Sequence, residues 1–258
     1  MIKENGKCGA LVPLVTADDV MAALQAAASV KSGAVHYEKQ TSARRIFIED
    51  LRIYVSPPLH IGNKKIARNV AILSLLEYAT CPNCKECKAG CYAHKATIQY
   101  CNVRVHRTVY SWLAMHDAGR FFQMIIAQLN DILKHNSRRR VPVDTVRIHE
   151  AGDFFSQHYL EGWAMVAALF PVLKFYFYTE TEELLNFAPL VSLPNVNKVS
   201  SRLPDGSLNF APEKEIQEKA KRNGVHICPC GSAGWRDGWC GDKCKRCHTE
   251  KCMAFIQS

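Results

Sequence analysis

The residues best able to do chemistry are cysteines, and they fall into two groups. Cys81, Cys84, Cys87 and Cys91 stand in the loop CPNCKECKAGC at the spacing C-x2-C-x2-C-x3-C. That spacing lets a compact loop wrap an iron–sulfur cubane, each thiolate reaching one corner, although Tyr92 follows the last cysteine where Pro is usual. Four soft thiolates select iron–sulfur or zinc over harder metals. Zinc more often takes paired ligands separated by a longer loop, so the compact set favours a [4Fe–4S] cluster. If the fourth cysteine serves elsewhere, three ligands leave one iron open for a substrate or cofactor.

The second group is Cys228, Cys230, Cys240, Cys244, Cys247 and Cys252, with His248 among them. Residues 228–258 carry little apolar content, so a metal must staple them if they fold. Cys228, Cys240, Cys244 and Cys247 are the expected ligands, Cys230 and Cys252 the reserves, and His248 a polar neighbour. An auxiliary iron–sulfur cluster is favoured here, with structural zinc as the alternative. Cys8 and Cys101 stand apart and read as small buried hydrophobes.

The 258 residues suit one large domain or one domain with an appendage, and 48% hydrophobic content is enough for a sizeable core. Met1 to Leu14 reads as no secretory signal, because Lys3, Glu4 and Lys7 interrupt it and no apolar stretch follows. The longest apolar run, from Trp163 to Tyr178, is broken by Pro171 and Lys174 and falls short of a bilayer crossing. The expectation is a cytoplasmic protein in a reducing compartment, with no membrane partner, where clustered cysteines bind metal instead of pairing. The net charge of +9 treats every cysteine as neutral. Two four-thiolate clusters would bring it to roughly +5. Arg138–Arg140 and Lys219, Lys221 and Arg222 could meet nucleic-acid phosphates, but solvated loop and helix ends are the favoured reading. No P-loop, GxSxG elbow or HExxH is present.

The elements that would position these residues follow from periodicity. Thr16 to Asp19 reads as a capping box opening an Ala-rich helix. Arg45 to Val55 reads as one or two strands, and the first 65 residues as an N-terminal extension. NVAILSLLEY, residues 69–78, reads as a buried strand running into the cysteine loop. Val105 to His135 is helical, with Gly119 weakening its middle. Val143–His149, Lys174–Thr179, Val196–Ser201 and Val225–Cys228 read as strands. Tyr159–Phe170 and Pro212–Arg222 read as helices, and Trp163 and Phe175 to Tyr178 as core. His106 and His116 read as packing or helix-surface residues. Such alternation predicts an α/β domain over 66–227 with a parallel sheet. The cysteine loop, Glu150–Asp153, Thr179–Glu180 and Ser200–Arg202 then all fall at the carboxyl ends of strands, where ligands bind in such sheets. Asp153 also reads as a cap for the helix after it.

CYAHK after a cysteine-rich loop, then VRIHEAGDFFSQHYLEGW and KFYFYTE, resembles a phage protein family named after gene eighty-eight of mycobacteriophages. The resemblance runs from Leu73 to Cys252 and brings no activity with it. The layout is also similar to the radical S-adenosylmethionine (SAM) superfamily, which implies a partial TIM-like barrel with a cysteine loop after its first strand. By that likeness Tyr92 lies near the adenine of SAM. Glu150, Gly152 and Asp153 form the turn for its amino group, and Thr179, Ser201 and Arg202 contact ribose or carboxylate. An electron donor and an unidentified substrate would be the partners. The loop departs from the C-x3-C-x2-C spacing of that superfamily, and the turn is Ala-Gly-Asp where Gly-Gly-Glu is expected. A non-radical cluster enzyme and a metal-stabilised nucleic-acid-binding or regulatory module are the competing functions.

Overall fold

The computed structural model describes residues 15–28, 46–84, 88, 91–207, 209–211, 213–228, 246–248, 250, 253 and 255–256. Five strands form the central sheet: β3 (His60–Ile61), β4 (Val70–Ile72), β5 (Thr145–Ile148), β6 (Lys174–Thr179) and β7 (Val196–Ser200), adjacent in that order. The last four are parallel, and β3 runs antiparallel to β4 at one edge. Ahead of the sheet, β1 (Ile46–Ile48) and β2 (Ile53–Val55) make a hairpin. After it, β8 (Phe210–Ala211) pairs with β9 (Phe255–Ile256) near the end of the chain.

The sheet is short of a barrel. Among the described residues β3 and β7 are its two edges, and no ladder joins them. The expectation of purely parallel strands is corrected at β3, because the segment before β4 folds back beside it as a hairpin-like edge. The expected strand Val225–Cys228 is reduced to a single β-bridge at Ile227: the polar helix Glu213–Asn223 ends at Gly224, φ +63°, and no longer strand follows within these residues.

Each helix forms where the apolar spacing and caps allow it. The capping box opens the helix Ala17–Ala28: Asp19 Oδ2 accepts from the Thr16 N–H at 2.7 Å, and Thr16 Oγ1 accepts from the Asp19 N–H at 3.2 Å. The single helix expected over Val105–His135 is two, Cys101–His116 and Ala118–Lys134. Asp117 breaks it, with φ −144°, and its side chain accepts from the Arg120 N–H at 2.9 Å, so an N-cap sits where the chain turns. Gln157–Leu169 crosses Ala118–Lys134 at Gly162, where a Cβ would collide with the Phe122 ring.

These helices cover one face of the sheet. Ala71, Leu73, Val146, Ile148, Phe175 and Phe177 pack there against Val109, Leu113, Phe121, Ile125 and Trp163. The opposite face carries Val70, Ile72, Tyr176 and Val199, and Cys228, Cys247 and Met253 pack on it. No described helix is long and apolar enough to cross a membrane.

Candidate functional site

Four separate segments meet at the carboxyl edge of β4 to β7. The Tyr92 hydroxyl donates to the Glu150 carbonyl. Asn83 Nδ2, inside the cysteine loop, donates to the Glu180 carbonyl at 2.7 Å. Asp153 binds the end of β6, and the Arg202 Nε lies 3.2 Å from Glu180 Oε2. The loop after β4 and the turns after β5, β6 and β7 are thus joined in one continuous set of contacts, as the parallel order requires.

The turn after β5 is strained and tightly held. His149 has φ +63° and Gly152 φ +85°. A Cβ on Gly152 would lie 2.5 Å from Thr80 Oγ1 and 2.9 Å from the Leu75 Cβ, so only glycine lets the turn pass this close to the strand leading into the cysteine loop. Asp153 is buried and accepts from the Phe154 N–H at 2.7 Å, Thr179 Oγ1 at 2.8 Å and the Glu180 N–H at 2.8 Å. Burial pushes its carboxyl up to about 7 against the pull of those three donors. It does not cap the following helix. Ser156 does, accepting from the Tyr159 N–H at 3.2 Å. Thr179 Oγ1 is likewise engaged, with Asp153 and with Thr181 Oγ1 at 2.8 Å. Asp153 and Thr179 therefore tie strand ends together.

Glu150 faces a cavity of about 320 Å³ that His60, Asn63, Ser74, His106 and Arg107 also line. Its Oε1 accepts from Asn63 Nδ2 at 2.5 Å. His106 is buried, and burial with His60 beside it holds its imidazole well below the usual range. Its Nε2, 3.1 Å from the Pro57 carbonyl, therefore donates, which leaves Nδ1 as an acceptor. His149 turns away from this cavity. Its Nε2 lies 2.8 Å from the Tyr159 hydroxyl, its ring packs on Phe154 among the helices, and burial lowers it to about 3. Ser201 contributes a carbonyl to the Asn209 N–H at 3.1 Å, and Arg202 Nη1 donates to the Gly206 carbonyl at 3.0 Å.

In the cysteine loop Cys81, Cys84 and Cys91 are half-buried, and Cys87 lies outside the described residues. Cys91 is the N-cap of the helix Tyr92–Gln99. Tyr78, at φ +66°, donates to the Lys88 carbonyl at 3.1 Å across the loop. Burial first and Cys91 second raise its hydroxyl pKa. Among the described residues no three His, Cys, Asp or Glu side chains gather closely enough to hold a metal ion.

Sequence reasoning missed the clamp beneath this loop. Glu77 is buried and accepts from Thr97 Oγ1 at 2.8 Å and Arg107 Nη1 at 3.3 Å, with His94 Nδ1 3.0 Å away. Arg107 Nη1 also donates to the Ala93 carbonyl at 2.8 Å. The segment entering the loop and the helix leaving it are thereby fixed to one another. A glutamate ending an apolar run and an arginine on the buried side of an amphipathic helix were the available signals.

Of the second group, Cys228 and Cys247 are buried on the sheet face opposite the helices. The Tyr178 hydroxyl lies 2.6 Å from Cys247 Sγ, and Asn197 Nδ2 donates to the Cys247 carbonyl at 2.8 Å and the Glu250 carbonyl at 2.9 Å. Cys230, Cys240, Cys244 and Cys252 lie outside the described residues.

One comparison with known proteins bears on this arrangement. A family model described as Gene product 88 matches residues 56–254, which takes in the whole central sheet, the cysteine loop and nearly all of the cysteine-rich tail. No curated protein and no solved structure matches the chain.

Proposed function

The chain belongs to the Gene product 88 family, a phage family, and on that premise we propose that it is an iron–sulfur protein whose cluster sits in the loop of Cys81, Cys84, Cys87 and Cys91. The observation that carries the reading is convergence: a loop with three described half-buried cysteines meets the turns after β5, β6 and β7 at one edge, beside a polar cavity. Cysteine thiolates in so short a run suit an iron–sulfur cluster. Our reading of the tail is a second metal site using Cys228, Cys240, Cys244 and Cys247, with an iron–sulfur cluster or zinc as its metal.

The finer proposal is a radical-SAM-like enzyme on a partial barrel. The order β4 to β7, consecutive and parallel with helices on one face, supports it. When bound and reduced, the cluster supplies the electron that starts radical chemistry with SAM. Asp153 and Thr179 are already saturated by internal hydrogen bonds. In this reading the roles left for Glu150, Tyr92 and Arg202 are to orient the cofactor, and Gly152, Asp153 and Thr179 hold the turns that carry them. Arg138–Arg140, by contrast, precede β5 and so lie toward the opposite edge. A nucleic acid bound there would meet the protein away from the cysteine loop.

Anaerobic reconstitution with iron and sulfide should give a brown protein absorbing near roughly 400 nm, the band of a thiolate-bound cluster. Replacing Cys81, Cys87 and Cys91 together by Ala should remove most of that iron. Stoichiometric zinc in a colourless protein would overturn the cluster assignment. Titration of SAM into loaded protein, then dithionite reduction and analysis for 5′-deoxyadenosine, tests the finer reading. No binding to fully loaded protein removes it.

A further inference from the structure

Arg147 is the third residue of β5 and points to the sheet face opposite the helices, between Ile72 of β4 and Tyr176 of β6 in register. Its guanidinium carbon lies 5.4 Å from the centre of the Tyr178 ring. Tyr92 and Glu150, both from the carboxyl edge, are close enough to act on its charge. Its Nε is buried without a hydrogen-bond partner, and among the described residues no carboxylate lies within salt-bridge distance of it. Arg107, a buried arginine, is neutralised by Glu77, whereas Arg147 is half-buried with its Nε enclosed. Arg147 has nothing equivalent.

A buried guanidinium N–H without a partner is costly, and native proteins retain one where something outside the chain completes it. The Tyr178 ring offers one face of the guanidinium a cation–π contact, but it leaves the in-plane donors unanswered. Those donors form a rigid fork that matches the two oxygens of a carboxylate or phosphate. Tyr92 ties this point to the cysteine-loop edge through Glu150, and Tyr178 ties it to Cys247. The guanidinium thus stands between the two cysteine groups.

We propose that Arg147 anchors an anion site on the sheet face opposite the helices, receiving the carboxylate or phosphate of a ligand that enters from the carboxyl edge beside Tyr92 and Glu150. The site stands on the unpaired guanidinium and its aromatic walls, whether or not the loop carries a cluster.

Calorimetric titration of the full chain with inorganic phosphate and, separately, with malonate tests it. At least one should bind the wild type, and the one that binds tells a phosphoryl from a carboxylate ligand. Arg147→Met should weaken that binding by about tenfold or more, as loss of a charged hydrogen bond does. Without anion, Arg147→Met should melt no lower than the wild type, because it removes a buried donor that has no partner. If that variant fails to fold, Arg147→Lys, which keeps the charge but not the fork, carries the comparison and should also bind more weakly. Binding of neither probe overturns the proposal. So does wild-type affinity in the variant that folds, which would assign the anion to surface cations such as Arg138–Arg140. Iron content of the same preparations reports separately on the cluster.

Discussion

At the residue scale, two neighbours in one turn do opposite kinds of work. Gly152 allows close approach. With φ +85° and Thr80 and Leu75 inside contact distance of any Cβ, Gly152→Ala should cost about 2 kcal/mol or more. Urea denaturation would show it, and an unchanged midpoint would mean that the turn relaxes freely. Asp153 supplies attachment, and its proton gives a pH signature. Its carboxyl rises from the ordinary 3.8 to about 7 in the fold, first through burial. The folded chain then holds the proton more tightly than the unfolded one. The stability this contributes is full below about pH 4 and is lost as pH rises toward about 7. Asn is neutral throughout, so the advantage of wild type over Asp153→Asn should shrink between about pH 4 and about pH 7. An advantage that grows with pH would show that the three donors keep the carboxylate ionised.

At the element scale, the position of the cysteine loop depends on what brackets it. The chain enters from β4 through Glu77 and leaves into Tyr92–Gln99, and the Glu77–Arg107 pair anchors both sides to the helix Cys101–His116. That helix must end before Ala118–Lys134 can fold back across the sheet. The end is Asp117, whose side chain caps the next helix. Asp117→Ala should therefore lower stability by about 1 kcal/mol, the usual loss for an N-cap. Thermal denaturation would measure it. A variant of wild-type stability would assign the break to packing around Gly119 instead.

At the scale of the whole molecule, the sheet is a partition. Helices cover one face, and Cys228, Cys247 and Met253 pack on the other. Tyr178 and Asn197, on β6 and β7, hold the tail at Cys247. If a metal staples that tail, its stability is coupled to metal binding. Cys247→Ser should then release the tail to limited proteolysis and lower the melting temperature, and a chelator should do the same to the wild type. Unchanged proteolysis in both would show that apolar packing and the Tyr178 and Asn197 hydrogen bonds fasten these residues without a metal.

The sequence alone carried the four parallel strands of the core and most of its helical segments, but not β3 or the helix Tyr92–Gln99. KFYFYT gave β6 at its observed bounds, and the Gly and Asp of the 149–153 turn were visible as special residues. The alternation of strand and helix was enough to bring four turns to one edge, because parallel strands all end on the same side. What it could not carry were choices made by residues distant in the chain. Whether Asp153 faces ligand or Thr179 depends on how β5 and β6 pair, and His149 turns to Tyr159 because the strained backbone points it there. The Glu77–Arg107 clamp and the unpaired Arg147 follow the same logic. A charge reads alike in sequence whether it is solvated or buried, and only the packing around it decides whether the chain itself neutralises it or leaves it for a ligand.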